Sequence, residues 1–341
     1  MNKDNAVNSH QSFAQAYIDG LAKLLAQGRP APSVTDRFSI ASNFGKGDRP
    51  AIELLGHVYE LRQSEPCLFN SPLHRLNIPY AFGLFLWAIG GSDSVEWLSY
   101  YHERAADFSE DKQHLCGAFG KRLFDYKGSI DQIEIVLARL NSDPGSRRAI
   151  GLILAPEDND HSDLDFPCAI GTQYFLRDGA LHALVYMRAQ QALTILPYDQ
   201  FMFSSLQSLV AARLGVGAGR YLHFAGTFHI YQNEVDRARA LVDAGPPPTV
   251  ALGAIPPGAA PLAEVVALER ALRGAAIAGD CDALRHHAQT RYAAGSFNEH
   301  ARVVLTAHAF AKAGENPLPL IRDAELAPAV RDLLERQWGY E

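Results

Sequence analysis

Between residues 149 and 191 the chain carries three short, largely apolar runs, AIGLILA, FPCAIGTQYFLRDG and ALHALVYMRAQ, separated by turn signals. Runs of this length bounded by Gly, Pro and Asp are strands, and Arg177-Asp178-Gly179 has the residue types of a hairpin turn. The stretch that follows, YDQFMFSSLQSLVAARL at 198–214, reads as one long helix, and RYLHFAGTFHIYQNEVDRARALVDA starts as a strand and ends as a helix. A sheet region flanked by helices therefore forms the middle of the chain.

Upstream, residues 11–27 place Phe13, Ala16, Ile18, Leu21, Leu24 and Leu25 at helical spacing. Residues 51–62 alternate imperfectly around a glycine, as a strand with a bulge or bend does. Residues 79–101 read as a buried helix, a Gly-Gly break and a second helix, and 129–141 as an amphipathic helix ending at SDPGS. The run GPPPTVALGAIPPGAAP at 245–261 has the composition of a linker, and the residues from Leu262 onward are rich in Ala, Leu and Arg and helical. The expected organisation is an α+β catalytic domain over 1–244, a linker over 245–261 and a helical C-terminal extension over 262–341. A length of 341 residues accommodates both parts.

The chain has 31 Lys and Arg against 38 Asp and Glu, a formal charge of −7. That balance offers no broad positive surface, so a nucleic-acid polymer is not an expected partner. Cys67, Cys116, Cys168 and Cys281 are widely spaced without a CxxC pair, which points away from disulfides and structural zinc and toward a reducing compartment. The histidines are scattered, and His286 and His287 are adjacent rather than one turn apart, so no metal is expected. The first residues lack an apolar signal region and no apolar run is long enough to span a bilayer, which makes cytoplasmic location, without membrane association, the expectation.

Cys168 has two readings. Between Phe166-Pro167 and Ala169-Ile170 it is either a small buried hydrophobe or a nucleophile. Arg147 and Arg148 precede it, Arg188 follows it, and His229 and Tyr231 stand in FAGTFHIYQNE. Converging guanidinium groups would bind a dianion and lower the pKa of a nearby thiol; the alternative is that each is a solvated surface residue. A cysteine-hydrolase pairing with His161, His223 or His229 has no local signature.

The segments DPGSRRAI, FPCAIGTQYFLRDG, LVYMRAQQALTILPYDQFMF and FAGTFHIYQNEVD resemble, in this order, the motif blocks of the thymidylate synthase and deoxycytidylate (CMP) hydroxymethylase superfamily. The likeness is clear over 129–236 and weaker over 50–128, where FLWAIGGSD and GAFGK look like the family's LLWFLQGDT and VYGK blocks. Residues 1–30 and those after 245 do not share it. The resemblance implies a three-layer fold with a large twisted mixed sheet, a homodimer formed through that sheet, a pyrimidine nucleoside monophosphate as substrate and 5,10-methylenetetrahydrofolate as one-carbon donor. It implies that the Cys168 thiolate adds to C6 of the pyrimidine, which makes C5 nucleophilic; C5 is otherwise unreactive while the ring stays conjugated. It further implies that Arg188 holds the phosphate of its own subunit, that Arg147 and Arg148 reach the partner's phosphate, that Gln173 lies near the nucleophile, and that His229 and Tyr231 hold the sugar hydroxyl.

Asp199 stands where thymidylate synthase has an Asn that reads uracil and deoxycytidylate hydroxymethylase an Asp. A carboxyl group accepts from the exocyclic amine of cytosine, so LPYDQF favours cytosine; the alternative is an Asp capping a helix that starts near Tyr198. Ala189 replaces a serine of both relatives and opens space beside the sugar, which raises the expectation of CMP rather than dCMP. The folate half departs more. Leu84 falls at the catalytic glutamate, Phe119 replaces the tyrosine of the VYGK block, Gln191 replaces the aspartate that holds the pterin, and Ile195 replaces a glycine. The tryptophan-bearing loop is missing from YYHERAADFSE, and Trp338 and Tyr340 do not match the family's C-terminal tail. The expected function is a cytidylate 5-hydroxymethyltransferase, with Glu96 or Glu103 in place of the missing acid. The alternatives are a folate-independent enzyme on the same scaffold and a non-catalytic nucleotide-binding homologue.

Overall fold

Asp178 and Gly179 take positive φ angles of 51° and 74°, the pair required by a two-residue hairpin turn. The expected hairpin forms around them. The computed structural model describes residues 8–31, 50–160, 164–256 and 260–339. The strands are β1 (Asn8–His10), β2 (Arg29–Ala31), β3 (Ala51–Leu61), β4 (Cys67–Phe69), β5 (Ala149–Leu152), β6 (Ala169–Arg177), β7 (Ala180–Gln191), β8 (Gly217–Tyr231) and β9 (Thr249–Ala251). The helices of the sheet region are α1 (Phe13–Gln27), α2 (Ile78–Ile89), α3 (Val95–Tyr101), α4 (Phe119–Phe124), α5 (Gln132–Ser142), α6 (Leu196–Arg213) and α7 (Val235–Ala244). The C-terminal helices are α8 (Ala260–Ala278), α9 (Cys281–His287), α10 (Phe297–Lys312), α11 (Leu318–Asp323) and α12 (Pro328–Trp338). Tyr340 and His161 lie outside the described residues.

A seven-stranded mixed sheet runs β1-β3-β8-β7-β6-β5, with β2 also paired to β3. Strands β6 and β7 pair antiparallel, while β7 and β8 pair parallel across the connection made by α6. Gly56 takes a φ of 71° within β3, and the pairing with β8 keeps its register on either side, so the expected bulge does not form there. Strands β1 and β2 are three-residue edges without a periodic signal of their own.

Helix starts follow their caps. Ser12, Asn77, Ser94 and Asp131 each accept a hydrogen bond from the backbone N–H three residues on, at α1, α2, α3 and α5. Gly120 lets α4 cross α2, because a Cβ there would meet the Ala88 backbone at 2.1 Å.

From the sheet outward, α6 packs on β7 and β8, α2 packs on α6, and α10 packs on α2. This is the α+β architecture expected, with helices layered on one face of a large mixed sheet. Phe82 of α2, Phe201 of α6 and Phe297 of α10 form an aromatic cluster, with Phe82 5.1 Å from Phe201 and 5.4 Å from Phe297 between ring centroids. The C-terminal helices therefore share the core of the sheet region. The Pro- and Gly-rich stretch also joins it, since β9 pairs antiparallel with β4, and packing continues across the composition boundary at 244. At the far end, Gln337 Oε1 accepts from Ile78 N at the start of α2 (3.1 Å), and Arg75 donates to the Gln337 carbonyl.

Among the described residues no helix covers the opposite face of the sheet around β5, β6 and β8. Ile150, Leu152, Ile170 and Phe224 are exposed there, alternating with the buried Ala149, Gly151, Ala169, Gly171, His223 and Ala225. Among the described residues no helix is long and apolar enough to cross a membrane, and no group of three or more His, Cys, Asp or Glu is placed to hold a metal ion.

Phe297→Ala is expected to cost about 3–5 kcal/mol, the range for truncating a buried aromatic. Urea unfolding followed by fluorescence and circular dichroism should show one transition moved to lower urea. Two separate transitions, with only the later segment destabilised, would show that the C-terminal helices fold as an independent unit.

Candidate active site

Cys168 stands just before β6, and its side chain is open to solvent, which removes the buried-hydrophobe reading that Cys67 fits instead. The β6–β7 register pairs Ala169 with Met187, so Cys168 lies beside Arg188. The Arg188 backbone N–H donates to the Cys168 carbonyl at 2.8 Å, and Nη2 lies 3.6 Å from the Cys168 Sγ. The same guanidinium donates to the carbonyls of Pro167 (2.8 Å) and Phe166 (3.1 Å) and lies over the Phe166 ring, 4.8 Å from its centroid. One side chain thus clasps the turn that presents the sulfur.

The Cys168 thiol nevertheless has a pKa above its ordinary value. Burial is the largest cause, Arg188 opposes it, and Asp199 and Asp165 add to the rise. The expectation of an arginine-lowered thiol is corrected here: of the three arginines only Arg188 acts on the sulfur, and surrounding protein plus two carboxylates outweigh it. The residue is exposed, yet the protein packed around the sulfur penalises its charged form.

Arg147 and Arg148 are exposed and do not join this cluster. They precede β5, where Ala149 pairs with Tyr174, six residues along β6 from Cys168 and roughly 20 Å away at the rise of a strand. The three arginines do not converge within one chain. Gln173 belongs to the same far region, donating to the Arg147 carbonyl (3.0 Å) and accepting from the Tyr186 hydroxyl (3.2 Å).

His229 and Tyr231 end β8, and the register sets His229 between Gln191 of β7 and Glu53 of β3. Burial lowers the His229 pKa, with Glu53 opposing and Arg188 adding to the fall, so Arg188 acts on both the thiol and this imidazole. The His229 and Tyr231 rings meet edge to face with centroids 5.8 Å apart. His223 is not a partner for Cys168: it is fully buried and bonded to Gln190 and Tyr221.

Asp199 is 6% exposed in the first turn of α6. The helix begins at Leu196 after Ile195, with no side-chain cap, so Asp199 does not cap it. Its Oδ2 accepts instead from Gln190 Nε2 at 2.8 Å. Burial raises its pKa from 3.8 to about 7, with the Gln190 hydrogen bond opposing. Held toward neutrality in this way, the carboxyl offers a donor as well as an acceptor when protonated.

The positions the resemblance assigns to folate do not fit it in the family's manner. Leu84 is partly buried against the core and moves no protons. Gln191 is spent within the chain: Oε1 accepts from Thr194 N, Thr194 Oγ1 and Ile195 N, and Nε2 donates to Glu234 Oε2 at 2.7 Å. Ile195 is 46% exposed. Neither proposed substitute acid takes the place of the glutamate. Glu96 is exposed in the first turn of α3, and Glu103 is exposed beside Lys312.

Three residues at or behind the site escaped sequence reasoning, and a fourth, His223, was weighed only as a partner for Cys168. Asp165 and Glu53 act on the thiol and on His229 through space, and Gln190 and His223 stand behind Asp199. Asp165 had a local signal, its place three residues before Cys168. The other three depend on tertiary contacts alone.

The unfolded chain releases the Asp199 proton near pH 4, the folded chain only near pH 7. The stability this proton provides is complete below about pH 4 and is lost as the pH rises through about 7, up to about 4 kcal/mol in all. Asp199→Asn removes that loss, so its stability relative to wild type should climb between pH 5 and pH 8 in denaturant titrations. A difference that stays flat with pH would show the carboxyl is not held protonated.

Residues 17–255 match the family model described as thymidylate synthase. The match covers well over half of the chain, starts within α1 and ends beyond β9, and includes every site residue above. The chain belongs to the thymidylate synthase family, transferases that modify pyrimidine nucleotides at C5.

Proposed function

We propose that this enzyme is a cytidylate 5-hydroxymethyltransferase that acts on CMP or dCMP through a covalent adduct between Cys168 Sγ and C6 of the base. The observation that carries this reading is the pairing of a solvent-reachable thiol, clasped by Arg188 at 3.6 Å, with a buried Asp199 close enough to act on it. Adduct formation breaks the C5–C6 double bond and makes C5 nucleophilic; loss of the C5 proton and of the sulfur later restores the ring. Arg188 stabilises the thiolate as it forms, and its guanidinium suits the 5′-phosphate. Asp199 offers an acceptor to the cytosine amine and a donor to N3. Ala189, in place of a serine, leaves room for a ribose hydroxyl and favours CMP. His229, neutral through burial, and Tyr231 suit the sugar hydroxyls.

The homodimer reading rests on two observations. One face of the sheet exposes Ile150, Leu152, Ile170 and Phe224, and Arg147 and Arg148 stand exposed about 20 Å from Cys168 of their own chain. A second copy on that face gives the two arginines a site to serve. Leu152→Glu on this face is then expected to convert a dimer into a monomer in sedimentation velocity and to abolish turnover. A wild-type chain that sediments as a monomer at micromolar concentration would sink the shared-site reading.

A second reading, a folate-independent enzyme using the same adduct, is favoured by Leu84 and by the internally bonded Gln191. One assay separates the readings: C5-tritiated CMP and dCMP, with and without 5,10-methylenetetrahydrofolate, followed for tritium release and for 5-hydroxymethyl product by mass spectrometry. The first reading expects product only with the folate, falling by about a thousandfold or more in Cys168→Ala, as for loss of a nucleophile. Tritium release without folate would support the second. Neither release nor product, with nucleotide still bound, would leave a binding protein.

A further inference from the structure

Behind Asp199 runs a chain of buried side chains that the adduct chemistry does not use. Gln190 of β7 donates through Nε2 to Asp199 Oδ2 at 2.8 Å, and its Oε1 faces His223 Nε2 at 2.9 Å on the adjacent strand β8. His223 Nδ1 meets the Tyr221 hydroxyl at 3.0 Å. The imidazole stacks on Tyr59, 5.1 Å between centroids and 12° from parallel. Gln190, His223 and Tyr221 are fully buried, and the Tyr59 hydroxyl donates to Gln200 Oε1 at 2.7 Å while also meeting the Tyr221 hydroxyl.

A glutamine amide can turn either end toward a carboxyl, so something must choose. Burial holds His223 neutral, with a pKa pushed down to about 3, and the ring carries a single N–H. Gln190 Oε1 set against Nε2 puts that N–H on Nε2, leaves Nδ1 to accept from the Tyr221 hydroxyl, and keeps Gln190 Nε2 turned toward Asp199. Asp199 Oδ2 is thereby committed as an acceptor, and a proton on the carboxyl belongs on Oδ1.

This matters because cytosine and uracil present opposite edges. Cytosine shows an amine donor beside the N3 acceptor; uracil shows the O4 acceptor beside an N3–H donor. A carboxyl free to move its proton between oxygens satisfies either edge, whereas one with fixed acceptor and donor oxygens matches one edge and opposes the other. We propose that Gln190, locked by His223, is a specificity-determining positioning residue that fixes which oxygen of Asp199 accepts and which donates, and so makes the site choose cytosine over uracil. The proposal rests on the reading of Asp199 as the base-reading residue.

The test is calorimetric binding of CMP and UMP to the full chain, wild type and variants, with folding checked by thermal unfolding. Wild type is expected to bind CMP at least about tenfold tighter than UMP. Gln190→Met, similar in length but without the amide, should bring the two affinities within about threefold, and His223→Phe should do the same. His223→Gln keeps an N–H donor near the Nε2 position and should recover most of the preference. The double variant Gln190→Met/His223→Phe should lose no more discrimination than either single one, because both act through one chain. A folded Gln190→Met with the wild-type CMP to UMP ratio would overturn the proposal; if that variant does not fold, equal ratios in His223→Phe and His223→Gln overturn it instead. Asp199→Asn separates the two levels. A shift toward UMP there, with Gln190→Met unchanged, sinks only the positioning role, while an unchanged ratio in Asp199→Asn sinks the reading of Asp199 and the proposal with it.

Discussion

Strand β7 is hydrogen-bonded antiparallel to β6 on one side and parallel to β8 on the other, and the site hangs on those two registers. The first sets Arg188 against Cys168; the second sets Gln191 against His229 and Gln190 against Phe228, from where the Gln190 side chain reaches back to His223. Because α6 leaves the end of β7 directly, Asp199 returns over the same strand and meets Gln190. A slip of one residue in either ladder would turn each of these side chains to the wrong face of the sheet. The hairpin turn at Asp178-Gly179 pins the first register, and the packing of α6 on β7 and β8 holds the second.

Electrostatically the site is kept short of charge. Asp199 is held partly protonated, His223 and His229 are biased neutral, and the Cys168 thiol is raised, all chiefly by burial. Arg188 is the cation set among them. A thiol raised in this way is poorly poised to ionise by itself, which leaves an exposed cysteine less reactive. The net charge of −7 is a property of the whole chain and does not describe this site.

The C-terminal helices contribute to the same scaffold. Phe297 packs between α2 and α6, and Gln337 caps the start of α2, the helix that carries Leu84. Leu84 is thus on a helix braced by a segment that lies outside the family match at 17–255. Compositional signals for a linker at 245–261 did not foresee this, because a three-residue strand such as β9 gains its stability from its partner β4 and leaves little trace in its own residues.

What the residues determined by themselves was local or ordered along the chain: helices from apolar spacing and caps, the hairpin from Arg-Asp-Gly, and Cys168, Arg188, Asp199, His229 and Tyr231 from motif blocks in order. These depend on neighbours a few positions apart, or on a pattern of spacings that a linear reading preserves. Tertiary structure alone decided the rest. It separated Arg147 and Arg148 from Cys168, raised the thiol that the arginines were expected to lower, removed the helix-cap alternative for Asp199 by burying it as an acid, and stood Gln190 and His223 behind it. Those outcomes follow from burial and from pairing between strands far apart in sequence. Neither the dielectric around a group nor the residue across a ladder is written in its flanking sequence.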